Sequence, residues 1–191
     1  MRRLWLGLAL LAVVAVAGYA YVVHTQPDWY LRLRYPLAYQ SGIRGYASQD
    51  HLDAALVAAV VYEESRFRPD TTSSAGAIGL MQLLPSTAKG IAIRTGGGHF
   101  HPQTDLLNPD LNLRYGCWYL RHLILRYHRV DLALAAYNAG EANVDRWVAE
   151  TPQGQAPRIR FASTRGYVQA VTHARSVYRR VYASQLGYTG G

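Results

Sequence analysis

The stretch "HLDAALVAAVVYEES", residues 51–65, constrains the fold more than any other. Apolar side chains recur around nearly the whole 3.6-residue period, so a helix built here has almost no polar face to offer water. Such a helix has to be enclosed by others, which puts it at the centre of a domain. It ends on two adjacent carboxylates, Glu63 and Glu64, and Pro69 stops it from running much further. The two glutamates lie about 100° apart around a helix. Glu64 follows Val61, Val60 and Val57 at offsets of three, four and seven; Glu63 follows Val60, Ala59 and Leu56 at the same offsets. Periodicity therefore leaves open which of them faces inward. A charged carboxylate beside apolar surface is costly unless it is paired, solvated or protonated. Two readings stay open at this point. One is a general acid whose pKa an apolar wall has raised. The other is a solvated helix-end group paired with Arg66 or Arg68.

The remainder also reads as helical. Residues 48–50 offer a cap for the central helix. Residues 70–79 are rich in turn formers, and "LMQLLPSTAKGIAIRTG" reads as a short apolar run and then a helix with Pro85 near its start and Ser86 as its cap. "GGGHFHPQTDLLNPD" reads as a loop, with His99 and His101 too few to make a metal site. Helices are expected at "LNLRYGCWYLRHLILRYH", "DLALAAYNAG", "EANVDRWVAE" and "TRGYVQAVTHARSVYRRVYASQL", the last with its arginines on a solvated face. No segment alternates apolar and polar residues over a strand's length. The expected fold class is mainly α, an α-rich domain with a substrate cleft.

The N-terminus, "MRRLWLGLALLAVVAVAGYAYVV", sets an uncharged run at residues 4–23 behind two arginines. About 20 apolar residues span a bilayer as a helix, and the preceding arginines favour the cytoplasmic side. An uncleaved membrane anchor is the expectation, with the rest of the chain extracytoplasmic. Gly18, Tyr19 and Ala20 offer the alternative of a cleaved signal peptide and a secreted domain. The division expected is an anchor or signal at 1–24, a juxtamembrane connector at 25–45, whose Trp29 and tyrosines suit the lipid interface, and the globular domain at 46–191.

Composition narrows the partners. Of 191 residues half are hydrophobic, which excludes a disordered tail, and the formal net charge is +8, carried almost wholly by arginine. That charge suits an acidic partner: nucleic acid, anionic lipid or an anionic wall polymer. A site outside the cytoplasm argues against nucleic acid. Cys117 is the single cysteine, so no intrachain disulfide forms, and its place on an expected helix reads as a buried structural thiol.

Three blocks then sharpen the reading. Glu64-Ser65, Phe67, Pro69, Ser73, Gly76-Ala77, Gly79-Leu80-Met81-Gln82 and Pro85-Ser86-Thr87-Ala88 form the first; Ala136-Tyr137-Asn138-Ala139-Gly140 the second; Thr164-Arg165 with Tyr167-Val168 the third. In order and spacing they resemble the signature of the soluble lytic transglycosylases, lysozyme-like enzymes that cleave peptidoglycan, over residues 48–182. The resemblance implies a lysozyme-like domain that acts on peptidoglycan glycan strands without metal or other cofactor; it names no protein partner. It implies that Glu64 is the catalytic acid and Glu63 a flanking residue. It implies that Ser73 lies in the cleft near the acid, that Gln82 contacts sugar, that the Tyr137 hydroxyl lies close to the catalytic carboxyl with Asn138 beside it, and that Tyr167 lines the cleft. The reaction implied uses Glu64 as sole acid and base: it breaks the bond between N-acetylmuramic acid and N-acetylglucosamine and leaves a 1,6-anhydromuramoyl end. Two positions depart from the family pattern. Ser163 stands where a glutamate usually precedes the Thr-Arg pair, and Leu84 where a methionine often follows the glutamine.

Overall fold

The computed structural model describes residues 2–96 and 99–188. Gly97 and Gly98, part of the expected glycine-rich loop, lie outside the described residues. The chain divides into two compact units, Met1–Pro36 and Leu37–Gly191.

The first unit holds α1 (Arg2–Thr25) and α2 (Asp28–Arg34). Within α1, Trp5–Thr25 is long and apolar enough to cross a membrane, with a mean hydropathy of 2.3 and none of it buried. Gln26 takes a left-handed conformation (φ 43°) and Pro27 an extended one, so the chain leaves the axis of α1 before α2 begins.

The second unit is built from α3 (Gln40–Gln49), α4 (Ala54–Ser65), α5 (Pro85–Arg94), a short α6 (Pro102–Asp105), α7 (Pro109–Tyr127), α8 (Val130–Ala139), α9 (Glu141–Ala149) and α10 (Ala162–Val181). The helix expected from its apolar circumference is α4. Every residue from Ala54 to Tyr62 is buried, and α4 packs chiefly against α10, with α3 on another side. Helix α8 joins α7, α9 and α10.

Two caps differ from expectation. Residues 48–50 end α3 instead of opening α4; the N-cap of α4 is Asp53, whose Oδ1 accepts from the Ala55 amide at 3.0 Å. Ser86 does not cap α5, because Pro85 already occupies its first turn, where a missing N–H costs nothing. The last helix also departs from a purely solvated arginine face. Arg175 Nε donates to Asp53 Oδ2 at 2.6 Å, and Arg179 stands 3.8 Å from the same oxygen. Tyr188 donates its hydroxyl to Asp53 Oδ1. Asp53 thus ties the start of α4 to α10 and to the C-terminal turn.

No strand forms among the described residues. The segment between α4 and α5 makes two isolated antiparallel bridges, Thr72 with Ile78 and Ile78 with Leu83. This irregular hairpin packs on α7 through two close approaches. Gly79, at φ +81°, leaves no room for a Cβ beside the Asn112 side chain and the Leu106 carbonyl, and Gly116 on α7 leaves its space to Met81. Cys117 is a buried free thiol, as its helical setting indicated.

Candidate active site

The site forms where α4 ends. Arg66 and Phe67 both adopt left-handed backbone (φ 53° and 62°) and turn the chain sharply out of the helix. The buried Ser65 hydroxyl faces the Val61 carbonyl at 3.1 Å and the Leu80 carbonyl at 2.8 Å, which fixes the helix end against the hairpin. The question periodicity left open is resolved by side-chain partners. Glu63 turns to Arg66, whose Nη2 lies 3.3 Å from its Oε2 and whose guanidinium covers the Tyr62 ring. Glu64 turns to α10, where the Tyr167 hydroxyl donates to its Oε1 at 2.7 Å.

Burial raises the Glu64 pKa; the Tyr167 hydrogen bond opposes it, and the neighbouring Glu63 charge adds to it. The balance holds the carboxyl at about 7. Tyr137 and Tyr167 are half-buried side chains whose phenols are held far above their ordinary range, first by desolvation and then by the Glu64 charge. Both stay neutral donors wherever the carboxyl titrates.

The hairpin supplies the floor. Gln82 sits in left-handed backbone (φ 46°), an unusual state for a side-chain-bearing residue. Its Nε2 offsets that cost by donating to the carbonyls of Thr71 and Gly79, each at 2.9 Å. Its Oε1 is left to accept. Met81 beside it is held through both backbone groups: its amide donates to Asn112 Oδ1 at 2.7 Å, and its carbonyl accepts the Tyr137 hydroxyl at 2.7 Å. Asn138 Oδ1 accepts from the buried Thr164 hydroxyl at 2.9 Å, joining the second sequence block to the third and leaving Nδ2 to donate. A pocket of about 230 Å³ is lined by Gln82, Tyr137 and Asn138 together with Leu84, Thr87 and Tyr119.

Of the residues singled out in the sequence, Glu64 and Tyr167 touch directly, and Gln82, Tyr137 and Asn138 share one pocket. The Tyr137 hydroxyl donates to the Met81 carbonyl and also feels the Glu64 charge. Ser73 accepts from the Ala77 amide at 3.0 Å within its own turn, which leaves its hydroxyl hydrogen to donate. Ser163 is exposed one residue before Thr164. Sequence reasoning passed over Asn112. It is fully buried on α7 and bonds Met81, and its Nδ2 donates to the carbonyls of Ile78 (2.8 Å) and Leu106 (2.9 Å). A lone asparagine between Leu111 and Leu113, four residues before Gly116, was the available signal.

An α-rich domain, a glutamate half-buried at the end of its central helix and a pocket lined by Gln82, Tyr137 and Asn138 define the class. The chain belongs to the transglycosylase SLT domain family, whose pattern matches residues 41–158. The soluble lytic murein transglycosylase of Escherichia coli K12 is 31% identical over 156 residues, covering 78% of this chain and 24% of that protein. Membrane-bound lytic murein transglycosylase F of Pseudoalteromonas translucida is 36% identical over 127 residues, covering 62% of this chain and 24% of the relative. Among solved structures, the inactive glutamate-to-glutamine variant of lytic transglycosylase Slt from Pseudomonas aeruginosa superposes with a TM-score of 0.72 at 31% identity, covering 85% of this chain and 27% of that one. The lysozyme-like α-rich fold expected from the sequence is the fold of that family. The chain spans about a quarter to a third of the length of the curated relatives it matches.

Proposed function

We propose that the protein is a peptidoglycan lytic transglycosylase that cleaves the bond between N-acetylmuramic acid and N-acetylglucosamine and leaves 1,6-anhydromuramoyl ends, with Glu64 as sole general acid and base. The observation that carries this reading is the Glu64 carboxyl itself. It is half-buried, held by one neutral hydroxyl, and balanced at about 7. A group so poised is protonated often enough to act as an acid and ionised easily enough to act next as a base.

The protonated carboxyl accepts from Tyr167 through Oε1, so the proton resides on Oε2. From there it passes to the glycosidic oxygen as that bond breaks. The carboxylate left behind keeps the Tyr167 hydrogen bond, which stabilises it. It then takes the proton of the muramoyl C6 hydroxyl as that oxygen attacks C1 of the same sugar. Intramolecular attack gains effective concentration over water, so no activated water is needed. Ordinary glycosidases use a second carboxylate. Here the carboxylate that bears on Glu64 is Glu63, and Arg66 engages it. Gln82 Oε1 and Asn138 Nδ2 offer one acceptor and one donor to sugar amide and hydroxyl groups in the pocket, Tyr137 forms its wall, and the Ser73 hydroxyl adds a donor near the acid. At Ser163 a carboxylate contact common in the family is replaced by a neutral hydroxyl.

The apolar run Trp5–Thr25 of α1 anchors the chain as a single membrane span, with Arg2 and Arg3 on the cytoplasmic side and the catalytic unit outside, where peptidoglycan lies. Mass analysis of products from purified sacculi tests the chemistry. Muropeptides ending in anhydromuramic acid are expected; reducing ends one water heavier would mean hydrolysis and overturn the proposal. Glu64→Gln is expected to release nothing, whereas Glu63→Gln keeps most of the activity.

A further inference from the structure

Helix α2 carries two apolar surfaces, and only one of them is covered. Leu31 is buried, with 2% of its surface exposed. Trp29 and Leu33, four residues apart and so stacked on the opposite side, are 60% and 76% exposed. An uncovered tryptophan and leucine on one stripe of a short helix is a costly arrangement in water and an ordinary one at a lipid surface.

We infer that α2 lies in the headgroup region of the bilayer with Trp29 and Leu33 inserted as a second, interfacial contact beyond the membrane span. The inference rests on the reading of α1 as that span. Continuity with α1 selects lipid as the occupant. Trp5 near one end of α1 and Tyr19 and Tyr21 toward the other are exposed, the placement of aromatic residues at the two faces of a membrane. Only Gln26 and Pro27 separate α1 from α2. From Thr25 to Trp29 the chain can reach no more than about 14 Å even if fully extended, so Trp29 stays near the bilayer surface whenever α1 is inserted. The left-handed Gln26 and the extended Pro27 break the axis at that boundary, which frees α2 from continuing straight out into solvent. Tryptophan, with an apolar ring body and one N–H donor, is suited to that depth. By sequence the helix holds two arginines, Arg32 and Arg34, and one aspartate, Asp28, a net positive charge that suits an anionic lipid surface.

The test is depth measurement by site-directed spin labelling of the full chain in nanodiscs of phosphatidylcholine and phosphatidylglycerol. Labels are placed singly through Leu33→Cys and Trp29→Cys, with Leu11→Cys as a bilayer reference and Gln153→Cys, exposed on the second unit, as a water reference. Cys117 is buried and stays unlabelled. The ratio of collision with oxygen to collision with a water-soluble nickel chelate is expected to be several-fold higher at 29 and 33 than at 153, and lower than at 11. Ratios at 29 and 33 equal to that at 153, with 11 still lipid-embedded, overturn the inference and leave the span intact. Shielding of both positions from both reagents overturns it in favour of a protein partner. A water-like ratio at 11 removes the span, and the inference with it.

Discussion

Replacing Glu64 by glutamine tests the poised carboxyl through stability as well as activity. An unfolded glutamate titrates near 4.5, and the folded one is held at about 7. Between those values the unfolded chain has released a proton that the folded chain keeps. Stability therefore falls as pH rises through this window. Below it both states are protonated and no cost is paid; above it both are ionised and the whole cost is present. At about 1.4 kcal/mol for each tenfold change in proton affinity, the cost reaches roughly 3 kcal/mol. Glutamine keeps an oxygen to accept from Tyr167 and has no charge to desolvate, so it carries no such cost. Urea unfolding of the full chain in non-ionic detergent, followed by tryptophan fluorescence at several pH values from about 4.5 to 8, measures the difference between variant and wild type. Contributions from groups remote from Glu64 cancel in that difference. The variant is expected to gain about 3 kcal/mol over the wild type from the bottom of the window to the top, while its activity on sacculi stays at background throughout. A stability difference that remains level over this range means that Glu64 ionises like a surface carboxylate, and the general-acid argument fails.

Tyr167→Phe removes the one hydrogen bond that lowers the Glu64 pKa, so the alkaline limb of the pH–activity profile is expected to move to higher pH and the maximal rate to fall; a limb that does not move counts against the contact. Asn112→Ala leaves the Met81 amide and the Ile78 and Leu106 carbonyls without their buried partner, at about 1–3 kcal/mol for each group that finds no replacement, and a loss of about 3 kcal/mol or more in urea unfolding is expected. Gly79→Ala sets a Cβ against Asn112 and Leu106 in left-handed backbone; it should disturb the same hairpin and lower binding of glycan fragments, which isothermal titration measures. Burial alone would raise the Asp53 pKa, but Tyr188 and Arg175 together bring it below its ordinary value. Its contribution to stability is therefore present at neutral pH and lost as pH falls below about 4. Asp53→Asn is expected to cost about 1–2 kcal/mol at neutral pH, with the gap to wild type closing in acid.

What could be read in advance divides along a physical line. Helix α4 was legible because an apolar circumference has one solution, enclosure, and that solution depends on no other part of the chain. The membrane-length run was legible for the same reason. The choice between Glu63 and Glu64 was not, since it turns on which neighbours arrive from α10, more than a hundred residues away. Resemblance pointed to Glu64, and the geometry distinguishes the two by their partners: Arg66 is three residues from Glu63 and reaches back to it, while Tyr167 meets Glu64 from α10. The caps of α4 and α5 were misplaced because several residues near each start can act as a cap, and only the path of the chain selects Asp53 for α4 and Leu84, just before Pro85, for α5. Asn112 escaped notice because it acts across the fold on backbone groups, and backbone groups carry no side-chain signal. Gln82 combines both cases. Its identity fitted a sugar contact, yet its amide donors are spent on the carbonyls of Thr71 and Gly79, and it is this expenditure that stabilises its left-handed backbone and turns its remaining oxygen into a fixed acceptor. A substitution there is consequently expected to perturb the hairpin and the pocket together, whereas one at Asn138, which is exposed and bonded through Oδ1 to Thr164, is expected to remove the proposed sugar donor and leave the floor of the site in place.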